Sequence, residues 1–334
     1  MARRNPAALA SMDRTQVNNQ APVSTDLLLR LQQSIQSVIR GKDDVIRLAL
    51  VALFARGHLL IEDVPGVGKT TLAHSLARSF NCAFHRIQFT SDLLPSDIIG
   101  ISVFSQQTQR FEFRPGPIFA NIVLADEINR TTPKTQSALL EAMNEYQVTA
   151  DNRTYPLPQP FMVMATQNPI EHHGTYPLPE SQLDRFLMRL KIGYPAAASE
   201  KEILPNFAVS EPLARIEPVI GAEEVVEIQQ AVRRVAVDEQ LMNYTLAIVE
   251  KTRQNEFLSL GVSPRGSMML YRAAQALALV EGRGYCIPDD FKRLMLPVFA
   301  HRCVVSSRYI STFKKSDQAE AILKEIIDST PVPL

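Results

Sequence analysis

Apolar positions along the chain follow two rhythms. Leu28, Leu31, Ile35 and Val38 recur at helical spacing behind the capping residues Ser24, Thr25 and Asp26. Gly41 can end that helix, and a second is predicted over residues 43–56. Short apolar runs then alternate with helical stretches. Strands are predicted over 58–61, 83–89, 122–125, 161–165 and 190–194, and helices over 69–80 and 135–145. Strands apolar at every position, alternating with helices, predict a parallel sheet covered on both faces.

Two polar-centred stretches break the alternation. Residues 101–104 and 111–113 flank a polar segment, and 147–149 and 153–155 flank Asp151-Asn152; each reads as a hairpin or a plain surface loop. Beyond residue 195 strand signals stop. Helices are predicted over 221–234, 238–254, 263–281 and 288–301, with a last one available over 319–327. The division is a mobile tail over 1–22, rich in Asn, Gln, Ala and Pro, an α/β core over 23–195, and an all-helical domain over 196–334.

Composition narrows the function classes. The chain has 334 residues, 46% of them hydrophobic, which suits a globular protein of two domains. Its 35 Lys and Arg balance 35 Asp and Glu, so no net charge draws it to nucleic acid or to an anionic membrane. Cys82, Cys286 and Cys303 form no CxxC pair, which argues against a disulfide framework or a zinc site and predicts buried thiols. Arg3 and Arg4 lead into a polar stretch with no signal-peptide core, and the longest apolar run, 48–55, is too short to span a bilayer. A cytoplasmic location is expected.

The chemistry sits at the ends of the predicted strands. Asp63-Val64-Pro65-Gly66-Val67-Gly68-Lys69-Thr70, continued by Thr71, follows a strand and opens a helix. Backbone N–H groups there can cradle phosphates, Lys69 can reach the β- and γ-phosphates, and the Thr70 hydroxyl can ligate magnesium. Asp63 stands where the usual motif has its first glycine. Asp126 and Glu127 end the strand over 122–125, at the edge where ligands bind in such sheets. Asp126 suits the magnesium shell and Glu127 can polarise an attacking water. Asn168, after the strand over 161–165, can bond the γ-phosphate and that water, although Asn before Pro169 is also a turn signal.

Several stretches together resemble the MoxR family of AAA+ ATPases. They are 62–70 (Glu-Asp-Val-Pro-Gly-Val-Gly-Lys-Thr), 88–97, 111–117, 124–130 (Leu-Ala-Asp-Glu-Ile-Asn-Arg), 165–169 (Ala-Thr-Gln-Asn-Pro), and 178–186 with Leu183-Asp184-Arg185-Phe186. The likeness covers about residues 24–302. It implies an AAA+ P-loop core followed by a small helical lid, with Lys69 and Thr70 as Walker A, Asp126 and Glu127 as Walker B, and Asn168 as sensor 1. Arg185 resembles an arginine finger projected into a neighbour's site, the alternative being an internal pair with Asp184 or Glu180. Arg265, in Ser263-Pro264-Arg265, resembles sensor 2, the alternative being a solvated helix start. Ile39 and Gly41 resemble the segment that packs on adenine, and an amphipathic helix with its cap explains them equally well.

The resemblance further implies ATP and Mg2+ as ligands, ATP between core and lid, and a ring of copies, hexameric by expectation. It implies chaperone-like action on a client or on a protein with a von Willebrand factor A domain, with the hairpins and Arg130 facing a pore, partner or neighbour. A DNA-handling motor and an ATP-bound scaffold without turnover are the competing readings. The neutral charge argues against the first, and the intact set Glu127, Asn168, Arg185 and Arg265 against the second. His172-His173 lack an evident third ligand and read as a polar loop near the nucleotide.

Overall fold

Strand alternation sorts the core into two layers. In a computed structural model describing residues 23–168, 174–202, 212–306 and 315–333, five strands form one sheet: β1 (Leu59–Glu62), β2 (Phe84–Gln88), β5 (Ile122–Asp126), β8 (Met162–Gln167) and β9 (Met188–Leu190). Their order is β2-β5-β8-β1-β9, and every pairing is parallel. Leu59, Ile61, Ile122, Leu124, Met162 and Met164 enter one apolar cluster. Leu60, Val123, Ala125, Val163 and Ala165 enter the other. Both sets point into protein, so these strands carry apolar residues at consecutive positions. The tail expected over 1–22 and the pair His172-His173 lie outside the described residues.

The first cluster packs under α1 (Thr25–Gln36), α2 (Asp43–Phe54) and α3 (Lys69–Ser79), and the second under α4 (Pro95–Ile99) and α5 (Pro133–Glu145). Ala49 through Phe54 of α2 are each at most 1% exposed. A helix buried all round needs a cover on its far side, and the C-terminal helices supply it. These are α7 (Ala222–Val232), α8 (Glu239–Gln254), α9 (Pro264–Val280), α10 (Pro288–Phe299) and α11 (Lys315–Asp328), which follow the short α6 (Glu180–Leu183). α7 and α9 pack on α2, and Gln229 of α7 donates to the Leu53 carbonyl at 2.7 Å. Core and helical domain thus share one apolar cluster.

Both predicted hairpins are present, β3 (Gly100–Ser105) with β4 (Arg110–Pro115) and β6 (Gln147–Ala150) with β7 (Arg153–Pro156). Asp151 and Asn152 turn the second at φ 48° and 59°, a left-handed conformation these two residue types tolerate. The hairpins meet through a stacked pair, Phe113 and Tyr155, with ring centroids 4.1 Å apart.

Several features differ from the sequence expectation, beginning with α1, which stops at Gln36 short of Val38 and whose N-cap Ser24 makes no side-chain cap bond. The last core strand is Met188–Leu190 rather than 190–194. The amides of Ile192 and Gly193 leave the ladder and donate to the Asp63 carboxylate, each at 2.6 Å. A small antiparallel pair, β10 (Leu258–Leu260) with β11 (Val304–Val305), was not foreseen, being too short to leave a periodic signal. The thiols of Cys286 and Cys303 are buried and Cys82 is half-buried, all three free. No helix among the described residues is long and apolar enough to cross a membrane.

His58, at the amino end of β1, is 4% exposed. Its Nδ1 accepts from the Val163 amide at 3.0 Å, which leaves Nε2 to donate to the Met143 carbonyl at 2.9 Å. Burial pulls its pKa down to about 4, against the opposing effect of the Met143 bond. The unfolded chain therefore takes up this proton near pH 6.5 and the folded chain only near 4. Stability is whole above 6.5 and falls through that window, by about 3 kcal/mol from this group. Denaturant unfolding at pH 7.5 and 4.5 should show the loss, and His58→Asn should shrink it by about 2 kcal/mol. Equal losses in both proteins would overturn the assignment.

Candidate functional site

β1 delivers the chain to the carboxyl edge of the sheet, where the glycine loop begins. Gly66 and Gly68 have φ of 84° and 92°, values that disfavour any side chain. A Cβ at either would meet no atom within 4 Å, so the loop presents bare backbone on its open side. Gly68 caps α3, an eleven-residue helix whose first turn carries Lys69, Thr70 and Thr71. Val64 and Val67 are half-buried and Pro65 is exposed, with Val67 packed on the apolar cluster.

Asp63 is 9% exposed and fully used. One carboxylate oxygen accepts from the Val64 amide at 2.9 Å, and the other from Ile192 and Gly193. The residue that departs from the usual motif therefore ties the loop to the segment leaving β9. Lys69 Nζ donates to the Asp63 carbonyl at 2.6 Å. Burial holds this ammonium below its usual pKa, and Asp126, Asp63 and Glu127 oppose that shift. Both strand-end acids thus bear on the lysine electrostatically.

Asp126 Oδ1 accepts from the Thr166 hydroxyl at 2.6 Å, and Oδ2 from Arg86 Nη2 at 2.5 Å. Glu127 has φ 58° and ψ 49°, an uncommon conformation for a side-chain-bearing residue. Its amide donates to Thr166 Oγ1 at 2.8 Å, while its carboxylate accepts from Gln88 at 2.9 Å and lies 3.1 Å from Arg130. Arg86 escaped the sequence reading, and Gln88 entered it only within the matching stretch 88–97, without a role at the acids. Both stand on β2, where only the pairing Gln88↔Asp126 and Arg86↔Leu124 brings them to the acids. Asn168 closes β8 on the same edge and is 8% exposed.

These groups fit a magnesium nucleotide. The loop offers amides and a cation to phosphates, and Thr70 and Asp126 offer the oxygen donors that Mg2+ prefers. Mg2+ needs only one or two protein carboxylates beside phosphate oxygens. No cluster of three or more His, Cys, Asp or Glu side chains suited to a metal occurs among the described residues. Ile39 is half-buried against the apolar cluster. A Cβ on Gly41 (φ 67°) would lie 2.4 Å from Ser199 Oγ, and Lys42 Nζ donates to the Tyr194 carbonyl at 2.8 Å. The 39–42 turn thus lies against the core–lid connector.

The two arginines lie elsewhere. Arg185 comes just before β9, and β9 runs parallel to β1, so Arg185 stands at the amino edge of the sheet. Its Nη1 donates to the Leu140 carbonyl at 2.5 Å. Arg265 Nη2 donates to Asn144 Oδ1 at 2.5 Å, one residue from the Met143 carbonyl that binds His58. Burial, then the charge of Arg265, lowers the pKa of Arg185, opposed by Glu141 and Glu145. Both arginines therefore cluster at the carboxyl end of α5. Five strand steps, roughly 16 Å, separate His58 from Asp63. Neither arginine faces the phosphate loop of its own chain. Asp184 pairs with Arg302 at 2.8 Å rather than with Arg185.

Comparison with known proteins agrees with this architecture. The ATPase family associated with various cellular activities (AAA) matches residues 58–188, and the AAA lid domain matches 250–326. The uncharacterized protein YeaC of Bacillus subtilis is 51% identical over 92% of this chain and 95% of its own. Chaperone MoxR1 of Mycobacterium tuberculosis is 40% identical over 90% of this chain and 80% of its own. The crystal structure of a Cytophaga hutchinsonii protein provisionally designated an ATPase superposes with a TM-score of 0.85 at 35% identity, covering 93% of this chain and 96% of that one. A glycine loop at one sheet edge, two acids beside it, a helical lid and this degree of identity together assign the chain to the MoxR family of AAA+ ATPases.

Proposed function

We propose that the protein hydrolyses Mg-ATP at a site built by two copies, the loop and acids from one and Arg185 with Arg265 from the next. The observation that carries this is the separation of the two halves: phosphate-binding and acidic groups at the carboxyl edge of the sheet, guanidinium groups at the amino edge. A charge-neutralising arginine contributes only within reach of the phosphates, so it must serve another chain.

In this reading the amides of the Gly66–Gly68 turn and the α3 amino end hold the phosphates, and Lys69 gives up the Asp63 carbonyl for phosphate oxygens. Magnesium between Thr70 and Asp126 would draw charge off the β- and γ-phosphates. Glu127 takes the proton of the attacking water, and Asn168 fixes that water. The transferred group is then flanked by Lys69 and the neighbour's two arginines, which stabilise the charge that develops on it.

Head-to-tail copies close a ring, for which six is the expected number. Work done on a partner protein is the expected output, since the M. tuberculosis relative is named a chaperone. ATPase stimulation by DNA rather than by a protein partner would favour the DNA-motor reading.

Lys69→Ala should weaken ATP binding at least about tenfold in a fluorescent-nucleotide titration, because it removes a charge-assisted contact, and should leave the melting temperature nearly unchanged. Unaltered affinity would remove the loop from the site. Glu127→Gln and Arg185→Ala should each lower phosphate release about a hundredfold or more. Randomly mixed and exchanged, they should recover roughly a quarter of wild-type activity through a heterologous interface. A mixture that exchanges subunits and stays inactive counts against a shared site. Arg265→Ala should complement Glu127→Gln and fail to complement Arg185→Ala. The reverse pattern would return Arg265 to the site of its own chain.

A further inference from the structure

We propose that Asp184, Ser263 and Arg302 form a latch that holds Arg185, from the core, and Arg265, from the helical domain, as one unit presented to a neighbouring copy. The inference rests on the shared-site reading above. Arg185 and Arg265 are 80 positions apart in the chain and belong to different domains. Joint action on one phosphate group requires their relative placement to be fixed, and the latch joins the backbone beside each of them.

Arg302 follows α10, and its side chain is 1% exposed. Its Nε donates to Asp184 Oδ1 at 2.8 Å. Nη2 donates to the carbonyls of Phe186 at 2.6 Å and Asp184 at 3.2 Å. Nη1 donates to the Leu187 carbonyl at 3.3 Å and to that of Val298 in the last turn of α10. One guanidinium from the helical domain thus grips the core backbone on both sides of Arg185.

Ser263 makes the second joint. Its hydroxyl donates to the Asp184 carboxylate, 3.0 and 3.2 Å from the two oxygens, and accepts from the Gly266 amide at 3.1 Å. It caps α9, whose second residue is Arg265, while bonding the residue before Arg185. Gly266 completes the arrangement: a Cβ there would lie 2.9 Å from Arg302 Cδ and 2.7 Å from Val262 Cγ1. The first turn of α9 can lie over the buried guanidinium because this position carries no side chain.

A buried ion pair is a weak device for stability, since apolar packing of the same volume often does as well. Directional hydrogen bonds to the backbone carbonyls of Asp184, Phe186 and Leu187 do what apolar packing cannot, which is to fix an angle between two domains. Asp184 and Arg302 are positioning residues in this scheme; the two arginines alone would meet the substrate.

The test uses the full chain with Ser263→Ala, Ser263→Thr and Arg302→Lys. In Ser263→Ala and Arg302→Lys, ATP affinity at the chain's own loop should stay within about twofold, and kcat should fall about tenfold or more from misplaced arginines. Ser263→Thr, which keeps the hydroxyl, should retain activity. Each defective variant should recover when mixed with Glu127→Gln, which donates intact arginines, and should stay inactive when mixed with Arg185→Ala. Unchanged kcat in Ser263→Ala, or recovery with Arg185→Ala instead of Glu127→Gln, overturns the latch. Should Arg302→Lys melt early, Ser263→Ala decides alone. Glu127→Gln mixed with Arg185→Ala is the control: its failure defeats the shared site and the latch together, whereas its success beside a failure of the latch variants defeats only the latch.

Discussion

β1 hydrogen-bonds in parallel to β8 on one side and β9 on the other, and nearly everything functional in the molecule inherits its place from that pairing. Parallel strands send all their carboxyl ends to one edge and all their amino ends to the other. The glycine loop after β1, the acids after β5 and Asn168 after β8 gather at the first edge. The segment before β9, with Arg185, and the descending end of α5, with Asn144, gather at the second. No loop had to be bent toward a site; connectivity and direction suffice.

Each edge is tied by one aspartate that uses its carboxylate as a fastener. Asp63 accepts from Val64, Ile192 and Gly193, and so joins the phosphate-loop turn to the exit from β9. Asp184 accepts from Ser263 and Arg302, and so joins the entry to β9 to the helical domain. β9 is three residues long, with one aspartate-held joint on either side. A strand this short holds its position through its ends as well as through its ladder. The two joints bury opposite partners: Asp63 is itself 9% exposed, whereas Asp184 is 22% exposed and the buried member of its pair is Arg302, so in each the buried charge is costly unless its partners are kept.

Much of this was legible in the sequence because it is local. Lys69, Thr70, Asp126 and Glu127 sit at fixed offsets from strands that announce themselves by apolar runs, and the helices expected to start at Asp238 and Ser263 do start there, each capped by that side chain. What escaped was set by register or by contacts between domains. Nothing about Arg86 or Gln88 in the chain marks them as partners of the acids; only β2 lying beside β5 does. Arg302 reads as one more charged residue near a helix end, and its burial follows from the lid docking on the entry to β9. The final core strand was expected too late because Ile192 continues the apolar run while its amide has been taken by a side chain 129 positions earlier. Arg265 was recognisable as a type of residue, but its distance from its own phosphate loop follows from the path of α9.

On the proposed reading, donor and acceptor at opposite ends of one sheet give the shared site a polarity. Two copies joined through it would complete one site and leave an unused loop at one end and unused arginines at the other. A symmetric pair, each partner offering the same patch, cannot satisfy both ends at once. On the proposed reading an open file of copies always has one working site fewer than it has members, and only closure makes the two numbers equal. Turnover per chain then becomes a gauge of how many files have closed, and it would climb with protein concentration before levelling at the value of the finished circle.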